Sequence, residues 1–218
     1  MNLEDAYITG TDTEIGKTFV TAALLREKRE AGCRIIGMKP VASGCIETAN
    51  GWQSEDALAH MAADGIRDIA YADRNPYALP LPVAPEIAAR AAGIEIELPR
   101  IIKAWQQLHA HSDIEGVLIE GVGGWAAPLS ATLEQVDVVR ALDIPVMMVV
   151  GLRLGCVHQA RVTQRAIIAD GCKFAGWVAN PVDPAMDSMD DNIAILTRVL
   201  GTAPLRVMAR GWTAGGHR

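Results

Sequence analysis

A short apolar run, Ala6-Tyr7-Ile8-Thr9, leads directly into Gly10-Thr11-Asp12-Thr13-Glu14-Ile15-Gly16-Lys17-Thr18, and an amphipathic stretch follows from Thr18 to Ala31. Strand, glycine-bearing loop and a helix opening on Lys-Thr form a demanding combination. Backbone N–H groups of such a loop close around phosphate oxygens, a Lys reaches the outer phosphates, and a hydroxyl can ligate Mg²⁺. Gly16, Lys17 and Thr18 supply these parts. The common form of the loop has four residues between its glycines, whereas here there are five, Thr11 to Ile15. The alternative is an incidental Gly-Lys-Thr helix start; the strand before it together with the helix after it favours the phosphate loop. The loop specifies a nucleotide and leaves the reaction open.

Further apolar runs of strand length recur at Arg34 to Met38, Val117 to Ile119, Val146 to Val150 and Phe174 to Ala179, with a weaker one at Leu205 to Met208. They are continuous rather than alternating, as expected of parallel strands covered on both faces. Helical patterns fall between them at Ser54–Ala63, Pro85–Ala92, Pro99–His109, Leu133–Leu142, Cys156–Ala169 and Asp187–Leu200. The order predicts an α/β fold: a doubly wound, mostly parallel sheet with helices on both faces, of the P-loop NTPase kind. Pro76 to Pro85 reads as a loop or excursion and not as a linker between domains. A single domain is expected over 1–212, with a frayed tail at 213–218.

With 20 Lys and Arg against 26 Asp and Glu, the net charge is −6. That sign argues against a general nucleic-acid or acidic-membrane partner, whose affinity rests on neutralising phosphates. Any anion must be held by a local cluster. The 4 cysteines are scattered without a C-x-x-C pair, which suggests neither zinc ribbon nor disulfide framework. The acidic start lacks the order of a signal peptide, and the apolar stretch Ile144–Leu152 falls short of the roughly 20 residues a membrane span needs. A soluble protein of the reducing cytoplasm is expected.

Other clusters carry chemistry at the carboxyl ends of strands, where open α/β sheets bind ligands. Lys39, within Met38-Lys39-Pro40-Val41-Ala42-Ser43-Gly44, can set a cation beside a terminal phosphate, or can simply end a strand. Asp56 begins a helix, where an acid is often only a dipole partner. Glu120, after four apolar positions and before Gly121-Val122-Gly123-Gly124, stands where nucleotide-dependent enzymes keep a metal carboxylate. Thr18, Asp56 and Glu120 would together offer three hard oxygen ligands to Mg²⁺, leaving positions for phosphate and water. N–H groups at Gly155, Cys156 and Val157, opening a helix, would favour a carboxylate or phosphate; an ordinary strand-to-helix turn reads equally. Asn180 could read an adenine edge, or belong to a routine Asn-Pro turn. The five histidines suggest no metal site. Met147 and Met148 read as core, and Asp190-Asp191 as a solvated helix face.

Taken jointly, these motifs resemble the dethiobiotin synthetase family. The matching pieces are Thr9 to Thr18, Lys39-Pro40-Val41-Ala42-Ser43-Gly44, Glu120-Gly121-Val122-Gly123-Gly124-Trp125, Gly151-Leu152-Arg153-Leu154-Gly155-Cys156 and Gly176-Trp177-Val178-Ala179-Asn180, in family order. The long phosphate loop is the family's own form. The resemblance implies a homodimer that uses ATP, Mg²⁺ and CO₂ on 7,8-diaminopelargonic acid. By position it implies Lys17 and Lys39 at the carbamate and γ-phosphate, and Thr18, Asp56 and Glu120 on Mg²⁺. It implies nucleotide contacts at Glu14, Ile15, Gly16, Lys17, Thr18, Phe19, Gly121, Val122, Gly123 and Asn180. Substrate would meet Ser43 and, across the dimer, Leu154, Gly155, Cys156 and Val157.

Two departures stand out. Val157-His158-Gln159 replaces the family's Ile-Asn-His, and the usual Gly-x-Ile-Pro ending is absent around Leu205 to Gly211. Rival readings are a ParA/MinD-like NTPase switch and a related amide-forming ligase. The switch carries an extra Lys early in the loop, where this chain has Thr11, Asp12 and Thr13. The Lys39–Gly44 motif and the compact length argue against the ligase.

Overall fold

The structure, a computed structural model, describes residues 4–209; the tail expected at 213–218 lies outside these residues. In chain order the elements are β1 (Ala6–Gly10), α1 (Lys17–Glu30), β2 (Ile35–Met38), β3 (Val41–Ser43), β4 (Ile46–Thr48), β5 (Gly51–Gln53), α2 (Glu55–Asp64), α3 (Tyr71–Arg74) and β6 (Tyr77–Leu79). There follow α4 (Pro85–Ala91), α5 (Leu98–His109), β7 (Gly116–Glu120), α6 (Gln135–Leu142), β8 (Val146–Leu152), α7 (Cys156–Ala169), β9 (Phe174–Pro181), α8 (Met189–Leu200) and β10 (Arg206–Val207).

The long apolar runs pair into a 6-stranded sheet in the order β10-β9-β8-β1-β7-β2. All its pairings are parallel. β1 lies inside the sheet, with β7 and β2 on one side and β8, β9 and β10 on the other. Because the strands run together, the residues after Gly10, Met38, Glu120, Leu152 and Pro181 emerge at one edge. The register places Ile8 beside Glu120 and Gly10 beside Val149.

Continuous apolar strands are explained by cover on both faces. Val117 and Ile119 pack with Ile101 and Leu108 of α5, whereas Leu118 between them packs with Val20 and Leu25 of α1. Met147 and Val149 join the α1 side, and Met148 and Val150 pack with Trp177 and Leu196. Both methionines are core, and Asp190 and Asp191 are exposed on α8.

The Pro76–Pro85 excursion holds more structure than its sequence announces. It contains β6, which pairs in parallel with β3, while β4 and β5 form a small antiparallel hairpin. Strands of 3 residues are too short to show a period, so only tertiary pairing reveals them. This excursion follows Lys39 directly and carries Ser43 beside the sheet's active edge.

Candidate functional site

The phosphate loop owes its shape to two glycines and one buried side chain. Gly16 caps α1 at φ 81°, a conformation costly for any other residue. Ile15 is wedged between the backbones of Gly10 and Gly151, where an added Cβ would come within 2.8 and 2.7 Å of it. Ile15 therefore points into the core, and its carbonyl accepts from Asn180 Nδ2 at 2.8 Å. Only its N–H is left to face a ligand. Glu14 is exposed with φ 54°, and Phe19 is partly exposed on α1. The Lys17 ammonium folds back onto the Asp12 carbonyl at 2.9 Å. Burial, and after it the Lys39 ammonium, lowers its pKa to about 8 against the pull of nearby acids.

Across from this loop the distant acids converge. Thr18 Oγ1 lies 2.7 Å from Asp56 Oδ1 and 2.9 Å from Glu120 Oε1. Lys39 Nζ lies 2.6 Å from the same Glu120 oxygen, 2.9 Å from Asp56 Oδ2 and 3.0 Å from the Gly121 carbonyl. Burial pulls the Lys39 ammonium down, but Asp56 and Glu120 more than offset it and hold it above the ordinary lysine value. Burial likewise pushes Glu120 up, and Lys39 and His60 outweigh it, leaving the carboxyl well below the usual carboxylate range. Asp56 is on α2, whose N-cap Ser54 accepts from the Ala57 N–H, so the capped first turn sets its acid toward the site.

Among the described residues no three His, Cys, Asp or Glu side chains gather to hold a metal alone. Two carboxylates and a hydroxyl within hydrogen-bond reach of one another suit Mg²⁺, which takes one or two carboxylates and completes its shell from phosphates and water.

Around this centre the remaining candidates fall as follows. Ser43 Oγ, at the end of β3, is buried without a protein partner. Asn180 is fully buried, and its Oδ1 likewise lacks a partner. At the start of α7, Leu154 is 97% exposed and Gly155 adopts φ 93°. One expectation fails there: the Cys156 N–H already donates to the Arg153 carbonyl at 3.0 Å, closing a turn, so it is not free for an anion.

The roles of four side chains escaped the sequence reading. His60 is buried with Nε2 2.8 Å from Glu120 Oε2; its signal was the spacing of four residues from Asp56, which puts both on one helix face. Gln135 bonds the glycine-rich loop at the Val122 N–H and the Gly124 and Ala127 carbonyls, and receives the Tyr7 hydroxyl at 2.8 Å. A Cβ on Gly121 would strike its Oε1 at 2.3 Å. Arg153 pairs with Asp12 of the phosphate loop at 2.5 Å, and Gln159 reaches the same oxygen at 3.2 Å. No motif announced either contact.

Comparison with known proteins decides the family. A family model described as an AAA domain matches residues 4–210. The ATP-dependent dethiobiotin synthetase BioD of Xanthomonas oryzae pv. oryzae is 55% identical over 194 residues, 89% of this chain and 85% of that protein. The enzyme of the same name from Xanthomonas campestris pv. campestris is 50% identical over 216 residues, 97% of this chain and 95% of that one. The chain belongs to the dethiobiotin synthetase family. As a dethiobiotin synthetase family member it is an ATP-dependent ligase of biotin biosynthesis. Solved structures add the fold alone. MinD in the MinC:MinD complex of Aquifex aeolicus aligns with a TM-score of 0.58 at 11% identity, covering 95% of this chain and 82% of that one. A ParA family ATPase from Chlorobium tepidum TLS gives 0.54 at 13%, covering 95% and 85%. No helix among the described residues is long and apolar enough to cross a membrane.

Proposed function

We propose that this protein carboxylates 7,8-diaminopelargonic acid with CO₂ and closes the ring to dethiobiotin at the expense of ATP, working as a homodimer. The observation that carries this reading is the convergence of Lys39, Asp56 and Glu120 on Thr18, at the mouth of the phosphate loop.

In this reading CO₂ adds to one amine, which loses a proton and becomes a carbamate. A carbamate oxygen attacks the γ-phosphorus and ADP leaves. The second amine attacks the carbonyl carbon of the resulting carbamoyl phosphate, and inorganic phosphate departs as the cyclic urea forms. No protein nucleophile is required. Such a transfer depends on positioning and on neutralising charge that develops in the transition state.

Lys17 and the N–H groups of Glu14 to Thr18 would bind the phosphates, with Phe19 beside them, and Lys39 would bridge carbamate and γ-phosphate. Thr18, Asp56 and Glu120 would hold Mg²⁺, which when bound neutralises phosphate charge. Gly121, Val122 and Gly123 would line the nucleotide side, held there by Gln135. The unpartnered Asn180 Oδ1 suits the adenine amino group, and the unpartnered Ser43 Oγ suits the diamine. Leu154, Gly155, Cys156 and Val157 would receive the substrate carboxylate from the second subunit, with Cys156 contributing no free N–H. The 97% exposure of Leu154 fits burial by a partner.

Purified protein with Mg-ATP, bicarbonate and the diamine tests the reading. ADP release should require both the diamine and dissolved CO₂, and mass spectrometry should show the cyclic urea. Hydrolysis indifferent to the diamine would instead favour an NTPase switch.

A further inference from the structure

The geometry points to His60 as a positioning residue that fixes the plane of the Glu120 carboxylate, so that one oxygen is aimed at the phosphate loop. The inference rests on the metal reading given above. Glu120 is fully enclosed, and its carboxyl is ion-paired with Lys39 at 2.6 Å; a carboxylate so paired only accepts hydrogen bonds. The tautomer that matches the 2.8 Å contact is the one with its proton on His60 Nε2, donating to Oε2. Oε1 receives Lys39 at 2.6 Å and Thr18 at 2.9 Å. The two oxygens are thus distinguished, one turned inward and one toward the reacting edge. The last torsion of a glutamate is broad, so the side chain by itself does not set the plane of its carboxylate. The imidazole does.

Two further observations show that the ring is placed for this bond. A Cβ on Gly37 of β2 would come within 2.5 Å of His60 Cβ, so a bare backbone makes room for it. His60 Nδ1 is buried without a hydrogen-bond partner. Leaving that atom unpaired is destabilising, and a leucine would fill similar space without the penalty. The bond to Glu120 is what the histidine adds.

Three substitutions separate the donor from the bulk. The amide nitrogen of glutamine reaches about as far as Nε2, that of asparagine only as far as Nδ1, and leucine fills space with no donor. His60→Leu and His60→Asn should raise the Mg²⁺ concentration for half-maximal diamine-dependent ADP release by roughly 10–100-fold, the usual consequence of removing a group that orients a metal ligand. His60→Gln should stay near the parent. A purely space-filling role would alter melting temperatures and leave the Mg²⁺ requirement alone. The second readout needs no metal or nucleotide: ¹⁵N-histidine-labelled protein should show one exchange-protected Nε2–H, whose resonance moves in Glu120→Gln. An unchanged Mg²⁺ requirement in His60→Leu, with a raised one in Glu120→Gln, overturns the inference alone. An unchanged requirement in both overturns the metal reading and the inference with it.

Discussion

Helix α2 carries buried ionic clusters toward both of its ends, and they are built differently. At its carboxyl end Asp64 and Arg74, both wholly buried, meet at 2.6 Å. Every carboxylate oxygen there has fixed donors: Arg74 and the Gly37 N–H on Oδ2, the Ile66 N–H and Arg74 again on Oδ1. Toward the amino end, Asp56 and His60 meet Thr18, Lys39 and Glu120. The single Thr18 proton lies between two carboxylates, and the Asp56 side chain is 37% exposed. The first cluster is closed and has one arrangement. The second shares its donors, so an incoming cation or anion can redistribute them. Buried charge alone does not mark a reactive site; an open set of partners at the ligand edge does.

The sharpest way to break the comparison is to unpair the closed cluster. Asp64→Ala leaves Arg74 buried without its counter-charge, and unfolding in urea should show a loss of about 3–5 kcal/mol, with turnover per folded molecule near the parent value. Lys39→Ala should do the opposite. Its fold should survive, while turnover of the diamine falls roughly 10²–10³-fold as charge stabilisation in the transition state is lost; near-normal turnover would remove Lys39 from the mechanism. Gln135→Leu should fall between the two. It strands the Tyr7 hydroxyl, the Val122 N–H and the loop carbonyls of Gly124, Trp125 and Ala127, costing about 1–3 kcal/mol, and should raise KM for ATP more than it lowers kcat.

The smallest effect concerns protons. Lys17 titrates at about 8 in the free protein, below the ordinary lysine value because burial disfavours its charge. Bound phosphate restores that charge. Nucleotide binding at pH 8.5 should therefore take up a fraction of a proton, vanishing near pH 6.5 where Lys17 is already protonated. Calorimetry in buffers of different ionisation enthalpy reads this directly. The same depression works against folding at neutral pH, where the buried charge must be kept, and that cost is relieved as pH rises through 8 toward the unfolded value.

Much was legible in the chain because it is local. The strand–loop–helix around Gly10 to Thr18 and the apolar runs express preferences of neighbouring residues. Glu120 could be singled out since four apolar positions deliver it to a strand end. The small strands β3 and β6 could not, because 3 residues hold no period. Nor could Gln135, whose value lies in bonds to a loop that its own neighbours do not predict.

Alone, the order of residues determined a parallel sheet with a phosphate loop at one edge, since backbone preference and apolar patterning act over a few residues. Only the folded chain decided that His60 would face Glu120 and that Ile15 would sit between Gly10 and Gly151. Those contacts join residues up to 136 positions apart. They are fixed by packing and by hydrogen-bond donors finding acceptors in the interior, information that no local window contains.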